Sequence, residues 1–229
     1  MKKVLFYLLL LAFTSCASQN GNTKVSPDEF EKMINGEKVQ ILDVRSSGEY
    51  MSGHIKNSLQ ADWRNQGQFI DRTSYLSKEK PVYVYCLSGG RSSAAAEYLR
   101  QNGFKKVVEL DGGINSWKMM GKATEGSSNE PQITLAQFQS SIPSDKTVLV
   151  DFGAVWCPPC VKMEPVLAQL KADKTLNFSL LKIDAGIQTE LMKSLNVTGI
   201  PTFIVFKGGK EVYRKQGLAT QQELSAQLK

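Results

Sequence analysis

The sequence predicts an α/β protein of two domains, and three observations carry that reading. Short apolar runs alternate with helical patterns, at the lengths expected of a parallel sheet flanked by helices. A stretch without apolar periodicity, GKATEGSSNE at 121–130, interrupts the alternation, which then restarts. The chain has 229 residues, enough for two domains of about a hundred residues each. The expected divisions are a leader at 1–15, a tether at 16–23, a first domain at 24–120, a linker at 121–130 and a second domain at 131–229.

Each element has its own signal. Ser26 can cap a helix that opens Pro27-Asp28-Glu29, with Glu29 placed to close a capping box. Residues 39–44 and 82–85 read as buried strands, 92–101 as a helix ended by Gly103, 106–110 as a strand and 114–120 as a short helix. In the second half the pattern gives a helix at 135–141, a strand at 147–152 and a long helix from the cysteine pair to about Lys171. A strand at 178–183 and a helix at 189–195 follow. Strands at 202–206 and 211–215 flank Lys207-Gly208-Gly209-Lys210, a hairpin signal, and a helix at 221–228 closes the chain.

Charge and composition narrow the chemistry. The net charge is +6, with no basic block interleaved with aromatic residues. A nucleic-acid partner is therefore not expected, and the excess reads as a solvated surface that mildly favours anionic substrates. The single histidine, His54, leaves no histidine-rich metal site and argues against a cysteine–histidine protease dyad. His54, Trp63 and Trp117 read as packing residues. No cofactor is expected.

The N-terminus reads Met1-Lys2-Lys3, ten apolar residues at 4–13, then Thr14-Ser15-Cys16. A basic start, a brief apolar segment and small residues make a secretory signal, too short for a stable membrane span. With a cysteine after the small pair it resembles a bacterial lipoprotein signal, although Phe13 stands where leucine is usual. The resemblance implies acylation of Cys16, export to the bacterial cell envelope and a lipid anchor holding the chain at the membrane, facing the periplasm. Cleavage would also remove Lys2 and Lys3 and leave a charge of about +4.

Of four cysteines, Cys86, Cys157 and Cys160 remain, too few and too irregular for a disulfide-stapled domain. Cys86 ends a strand, and Leu87, Ser88, Gly89, Gly90, Arg91 and Ser92 turn the chain into a helix. Backbone N–H groups of such a turn converge on the sulfur and favour thiolate. The Cys-x4-Arg spacing is one residue shorter than the Cys-x5-Arg loop of thiol phosphatases, and so suits a single extra sulfur atom better than a phosphate. With Leu42-Asp43-Val44-Arg45, Gly53-His54-Ile55 and Asp111-Gly112-Gly113-Ile114-Asn115-Ser116-Trp117, the first domain resembles the single-domain rhodanese family, which has a parallel sheet flanked by helices. The resemblance implies sulfurtransferase chemistry. Cys86 takes sulfur from a small anion such as thiosulfate, holds it as a persulfide and passes it to a thiol acceptor. Arg91 would be the loop arginine, and Arg45 would help to bind the donor.

Trp156-Cys157-Pro158-Pro159-Cys160 follows a strand and opens a helix. Two thiols spaced C-x-x-C on a first helical turn can bridge, and the helix's positive end favours Cys157 as the attacking thiol. Cys160, expected to be deeper, would resolve the mixed disulfide. A zinc site lacks the second ligand pair it would need, so no metal is expected. The second domain resembles thioredoxin, which implies a mixed sheet with flanking helices, Asp151 as a buried carboxylate behind the cysteines, and Pro201 as a cis proline facing them. Two departures are expected: Pro158-Pro159 replaces the usual Gly-Pro, and Leu180 takes the place of a lysine near the carboxylate.

The combined reading is an envelope enzyme in which the Cys86 persulfide gives its sulfur to the Cys157/Cys160 dithiol, which an external electron donor regenerates. Two rivals stand beside it. In one, the chain is a thiol-disulfide oxidoreductase for exported proteins whose first domain only binds or presents. In the other, it is a membrane-tethered scaffold.

Overall fold

The computed structural model describes residues 23–36, 39–126 and 131–229. The expected leader, Cys16 and all of the expected tether except Thr23 lie outside the described residues, as do 127–130 of the expected linker. Among the described residues no helix is long and apolar enough to cross a membrane.

The first domain runs β1 (Thr23–Val25), α1 (Pro27–Ile34), β2 (Gln40–Asp43), α2 (Ser47–Met51), β3 (Ser58–Gln60), α3 (Gln66–Thr73), β4 (Val82–Tyr85), α4 (Gly90–Gln101), β5 (Val107–Leu110) and α5 (Gly113–Met119). The five strands pair in parallel in the order β1-β5-β4-β2-β3. β1 corrects the tether: Thr23 is already hydrogen-bonded into the sheet, in register with Val108. β4 is buried along its whole length, as an interior strand covered on both faces must be. Its alternation sends Val82, Val84 and then Cys86 into the core beneath α3 and α4, while Tyr83 and Tyr85 enter the core of Phe30, Ile114 and Trp117. That period of two delivers the Cys86 sulfur to the N-terminal end of α4.

The second domain runs α6 (Leu135–Ser140), β6 (Thr147–Gly153), α7 (Pro158–Ala172), β7 (Phe178–Asp184), α8 (Thr189–Ser194), β8 (Thr202–Lys207), β9 (Lys210–Gln216) and α9 (Gln221–Leu228). Its mixed sheet has the order β7-β6-β8-β9, with β6–β7 parallel and the other pairs antiparallel. In β6, Val148, Val150 and Phe152 point to one core, and Leu149 shares the opposite core with Met163 and Leu167 of α7. Asp151 is on the Leu149 face by the same alternation, and so comes to rest under α7 beside Cys160.

The expected linker is held by the first domain over residues 121–126. His54 and Glu125 exchange backbone hydrogen bonds in an antiparallel bridge (2.7 and 2.8 Å). Trp117 Nε1 donates to the Ala123 carbonyl (2.9 Å), and Lys122 pairs with Asp28 and Glu31. His54 also stacks on Tyr50 and contacts its carbonyl through Nδ1, a packing role.

The two domains meet. Tyr50 and Met51 of α2 join Trp156, Cys157, Cys160, Ala154 and Ile200 in one apolar cluster. The Gln60 amide donates to the Trp156 carbonyl at 2.8 Å. Buried Gln60 also donates through its side chain to the Arg45 carbonyl and accepts from Arg72.

Candidate active sites

Cys86 is buried, and the turn after it closes around the sulfur. The Gly89 amide donates to Sγ at 3.1 Å, and the Ser92 hydroxyl is 3.4 Å from Sγ. That hydroxyl also reaches the Gly89 carbonyl at 3.0 Å, and its one proton serves one acceptor at a time. Burial pushes the thiol pKa up. The Ser92 hydroxyl and the amides of Ser92, Gly89 and Ser88 together outweigh it, so the pKa lies below the ordinary thiol value. Gly89 has φ +111°, which a side chain would resist.

Leu87 anchors the loop, while Gly90 simply opens α4 with room around its Cα. The Leu87 and Cys86 carbonyls accept from the amides of Asn115 and Ile114 (3.1 and 2.9 Å), which ties the loop to α5. This closeness requires Gly113, where a Cβ would lie 2.6 Å from the Cys86 oxygen. Arg91 is bound in a two-pronged pair to Glu49 of α2, at 2.8 and 2.7 Å. The Arg91 hydrogen bond holds the Glu49 carboxyl at a pKa of about 2.

Cys157 and Cys160 are joined by a disulfide at the start of α7. Cys157 caps the helix and accepts from the Cys160 amide at 3.4 Å. Its Sγ lies 3.9 Å from the carbonyl oxygen of Ile200, and the Ile200–Pro201 peptide is cis. On the other side, Asp151, Cys160, Glu164 and Lys182 line a cavity of about 210 Å³. Burial raises the Asp151 pKa from 3.8 to about 6, against the pull of Lys182.

Comparison with known proteins gives these two sites their context. The Rhodanese-like domain family matches residues 26–120, and the Thioredoxin family matches residues 130–229. A thioredoxin from Alicyclobacillus acidocaldarius is 41% identical over 99 residues, which are 42% of this chain and 91% of that protein. The chain belongs to the thioredoxin family. The tRNA uridine(34) hydroxylase of Chlamydia abortus is 35% identical over 100 residues, 42% of this chain and only 31% of that enzyme, so this chain spans about a third of it. The crystal structure of the Alr3790 protein from Anabaena is similar at 34% identity and TM-score 0.42, over 46% of this chain and 83% of that one.

The chain thus joins a rhodanese-like domain to a thioredoxin domain, and several expectations change. Arg45 is 2% exposed and bound to Asp43 (2.6 Å) and to the Gly53 carbonyl (2.8 Å), so it is a structural ion pair with no face left for a sulfur donor. A lysine does lie near the buried carboxylate, two residues after Leu180. The β6–β7 register sets Leu180 opposite Leu149 and Lys182 opposite Asp151. The expected difference in depth between the thioredoxin cysteines is not seen: both are buried, Cys157 at 0% exposed and Cys160 at 6%. Tyr50 and Met51 of the rhodanese-like domain lie in the cluster that holds Cys157. Trp156 is buried in the same contact, 5.3 Å from the Tyr50 ring.

Pro158 and Pro159 occupy the first two positions of α7 and lack N–H groups, so the Cys160 amide is the first-turn donor left for the Cys157 sulfur. Pro159→Ala restores an amide there and is expected to lower the Cys157 pKa in the reduced protein. Thiolate absorbance against pH measures the shift; an unchanged titration would refute this account of the two prolines.

Proposed function

We propose that this chain is a sulfurtransferase coupled to a dithiol, in which the thioredoxin domain accepts the sulfur carried by the rhodanese-like domain. One observation carries the reading: α2 touches both thiol sites. Glu49 grips Arg91 of the Cys86 loop, and the next two residues, Tyr50 and Met51, cover Cys157. A thioredoxin domain serving other proteins would leave its leading cysteine open to them; here the neighbouring domain covers it.

The chemistry balances in three steps. The Cys86 thiolate attacks the outer sulfur of thiosulfate, forms the persulfide and expels sulfite. Cys157 then takes the outer sulfur from the persulfide and returns Cys86 as thiol. Finally the Cys160 thiolate attacks the Cys157 sulfur and releases sulfide, which leaves the Cys157–Cys160 disulfide. The sulfane sulfur gains the two electrons that the dithiol loses. Asp151, in the same cavity as Cys160 and titrating near 6, is placed to accept the Cys160 proton. Cys86 and Cys157 lie in separate apolar clusters, so the transfer needs the α2–Trp156 contact to open. An external dithiol donor reduces the disulfide for the next cycle. In this reading the chain is exported through its leader and held by lipid on Cys16, facing the periplasm of a bacterial envelope.

The test is single-turnover sulfide release from reduced protein given thiosulfate. Cys157→Ser is expected to retain the Cys86 persulfide, seen as one added sulfur by mass spectrometry, while sulfide release falls to background. Undiminished release would refute the coupling. A wild-type protein that never gains sulfur on Cys86 would favour the rival in which the rhodanese-like domain only covers the thioredoxin site.

A further inference from the structure

A cleft of about 430 Å³ lies where the domains meet, and both supply its walls. Met51, Gln68 and Arg72 line it from the rhodanese-like side, and Trp156, Gly199 and Ile200 from the thioredoxin side. Its size is that of a small-molecule site.

Arg72 gives the cleft its chemistry. The side chain is 5% exposed, and its Nη1 donates to the main-chain oxygen of Gln60 at 3.2 Å and to that residue's side-chain oxygen. Both acceptors are uncharged. Other partly or fully buried arginines are matched by a carboxylate: Arg45 by Asp43, Arg91 by Glu49 and Arg100 by Glu109. Among the described residues Arg72 forms no such pair, and its guanidinium lies 5.5 Å from the centre of the Trp156 ring. Burial lowers its pKa to about 10, which leaves it charged at neutral pH. Asp71 and Asp62 act on it only from a distance; a buried guanidinium without a directly paired carboxylate is costly, and an anion entering the cleft would supply the partner. The ring on one side and Met51 and Ile200 on the other favour an organic body over a bare oxyanion. Ile200 lines the cleft, and its carbonyl oxygen is 3.9 Å from the Sγ of buried Cys157.

We infer that this cleft binds a low-molecular-weight thiol acid, as its disulfide, with the carboxylate on Arg72 and the sulfur directed along Trp156 and Ile200 toward Cys157. The inference rests on the reading of Cys157 as the exchanging thiol. It adds the substrate class: a small acidic disulfide that draws reducing equivalents from the thioredoxin pair. In the exchange the protein dithiol loses two electrons and two protons, and one disulfide becomes two thiols.

The full-length reduced protein is mixed with dithiodiglycolate or with uncharged bis(2-hydroxyethyl) disulfide, and the rate of dithiol oxidation is followed for each. The expected result is a preference for the acid of at least about tenfold in the second-order rate constant, the scale of one charge-assisted contact. Arg72→Gln is expected to abolish that ratio. Gln68→Glu sets a carboxylate in the wall while keeping the oxygen that accepts the Asp62 amide, and is expected to reduce the ratio without disturbing the buried Arg72. No preference in wild type, or a ratio unchanged in both variants, overturns the inference. Calorimetric binding of adipate to the oxidised protein reads the cleft alone. If adipate binds but neither disulfide reacts, the cleft stands and the exchange reading of Cys157 fails; if adipate does not bind, the cleft assignment fails whatever the thiols do.

Discussion

Serine in place of Cys86 is expected to abolish persulfide formation from thiosulfate, a loss on the order of a thousandfold or more, because nucleophile and sulfur carrier are the same atom. The Gly89 amide and Ser92 hydroxyl around that atom stabilise a thiolate but offer no alternative nucleophile. The reduction of small disulfides by Cys157 and Cys160 should persist in this variant, which separates the two chemistries. Sulfite release measured with the same preparation checks the first half, and dithiol oxidation the second. Sulfur uptake by Cys86→Ser at the wild-type rate would sink the sulfurtransferase reading.

Asp151→Asn carries the second large effect, and stability and rate should move in opposite directions. The carboxyl titrates near 6 in the folded chain against an ordinary value of 3.8. Its folded-state pKa is raised, so its contribution to stability is fully present below about pH 3.8 and is lost as pH rises through 6. Asparagine does not ionise and avoids that loss. The variant is expected to match wild type in urea denaturation near pH 4 and to exceed it by up to about 3 kcal/mol at pH 8, a shift of about two units at 1.36 kcal/mol each. Closure of the Cys157–Cys160 disulfide should slow on the order of a hundredfold, since the group proposed to accept the Cys160 proton is gone. Equal stability at both pH values would show that Asp151 is not held neutral by burial.

The strands and helices that position the thiols were legible because each is long enough to reveal its period. The run Val82 to Tyr85 is such a case, and so is the capping box at Ser26 and Glu29, present as expected. The elements that escaped notice are the short ones. β1 and β3 are three residues each and α2 is five, less than two turns, so no periodicity can register. α3 is longer but polar, and buries Phe69 together with Arg72 and Thr73, a mixture that does not read as an apolar stripe. At the sites, local chemistry could be read and long-range pairing could not. The sequence marks Cys86 by its glycine-rich turn, and Cys157 and Cys160 by their spacing. It gives no sign that Arg45 folds back on Asp43 two positions earlier, or that Lys182 rather than Leu180 faces Asp151, since that depends on strand register. Nor can one domain's sequence reveal that the other will cover its leading cysteine.

The pinning of residues 121–126 bears on anyone who wishes to separate the halves. A cut placed after Met120, where the last helical pattern fades, would strip Trp117 of the carbonyl its indole binds, remove the lysine that neutralises Asp28 and Glu31, and leave His54 without its bridging strand. A severed N-terminal half that keeps its own wall intact runs through Gly126.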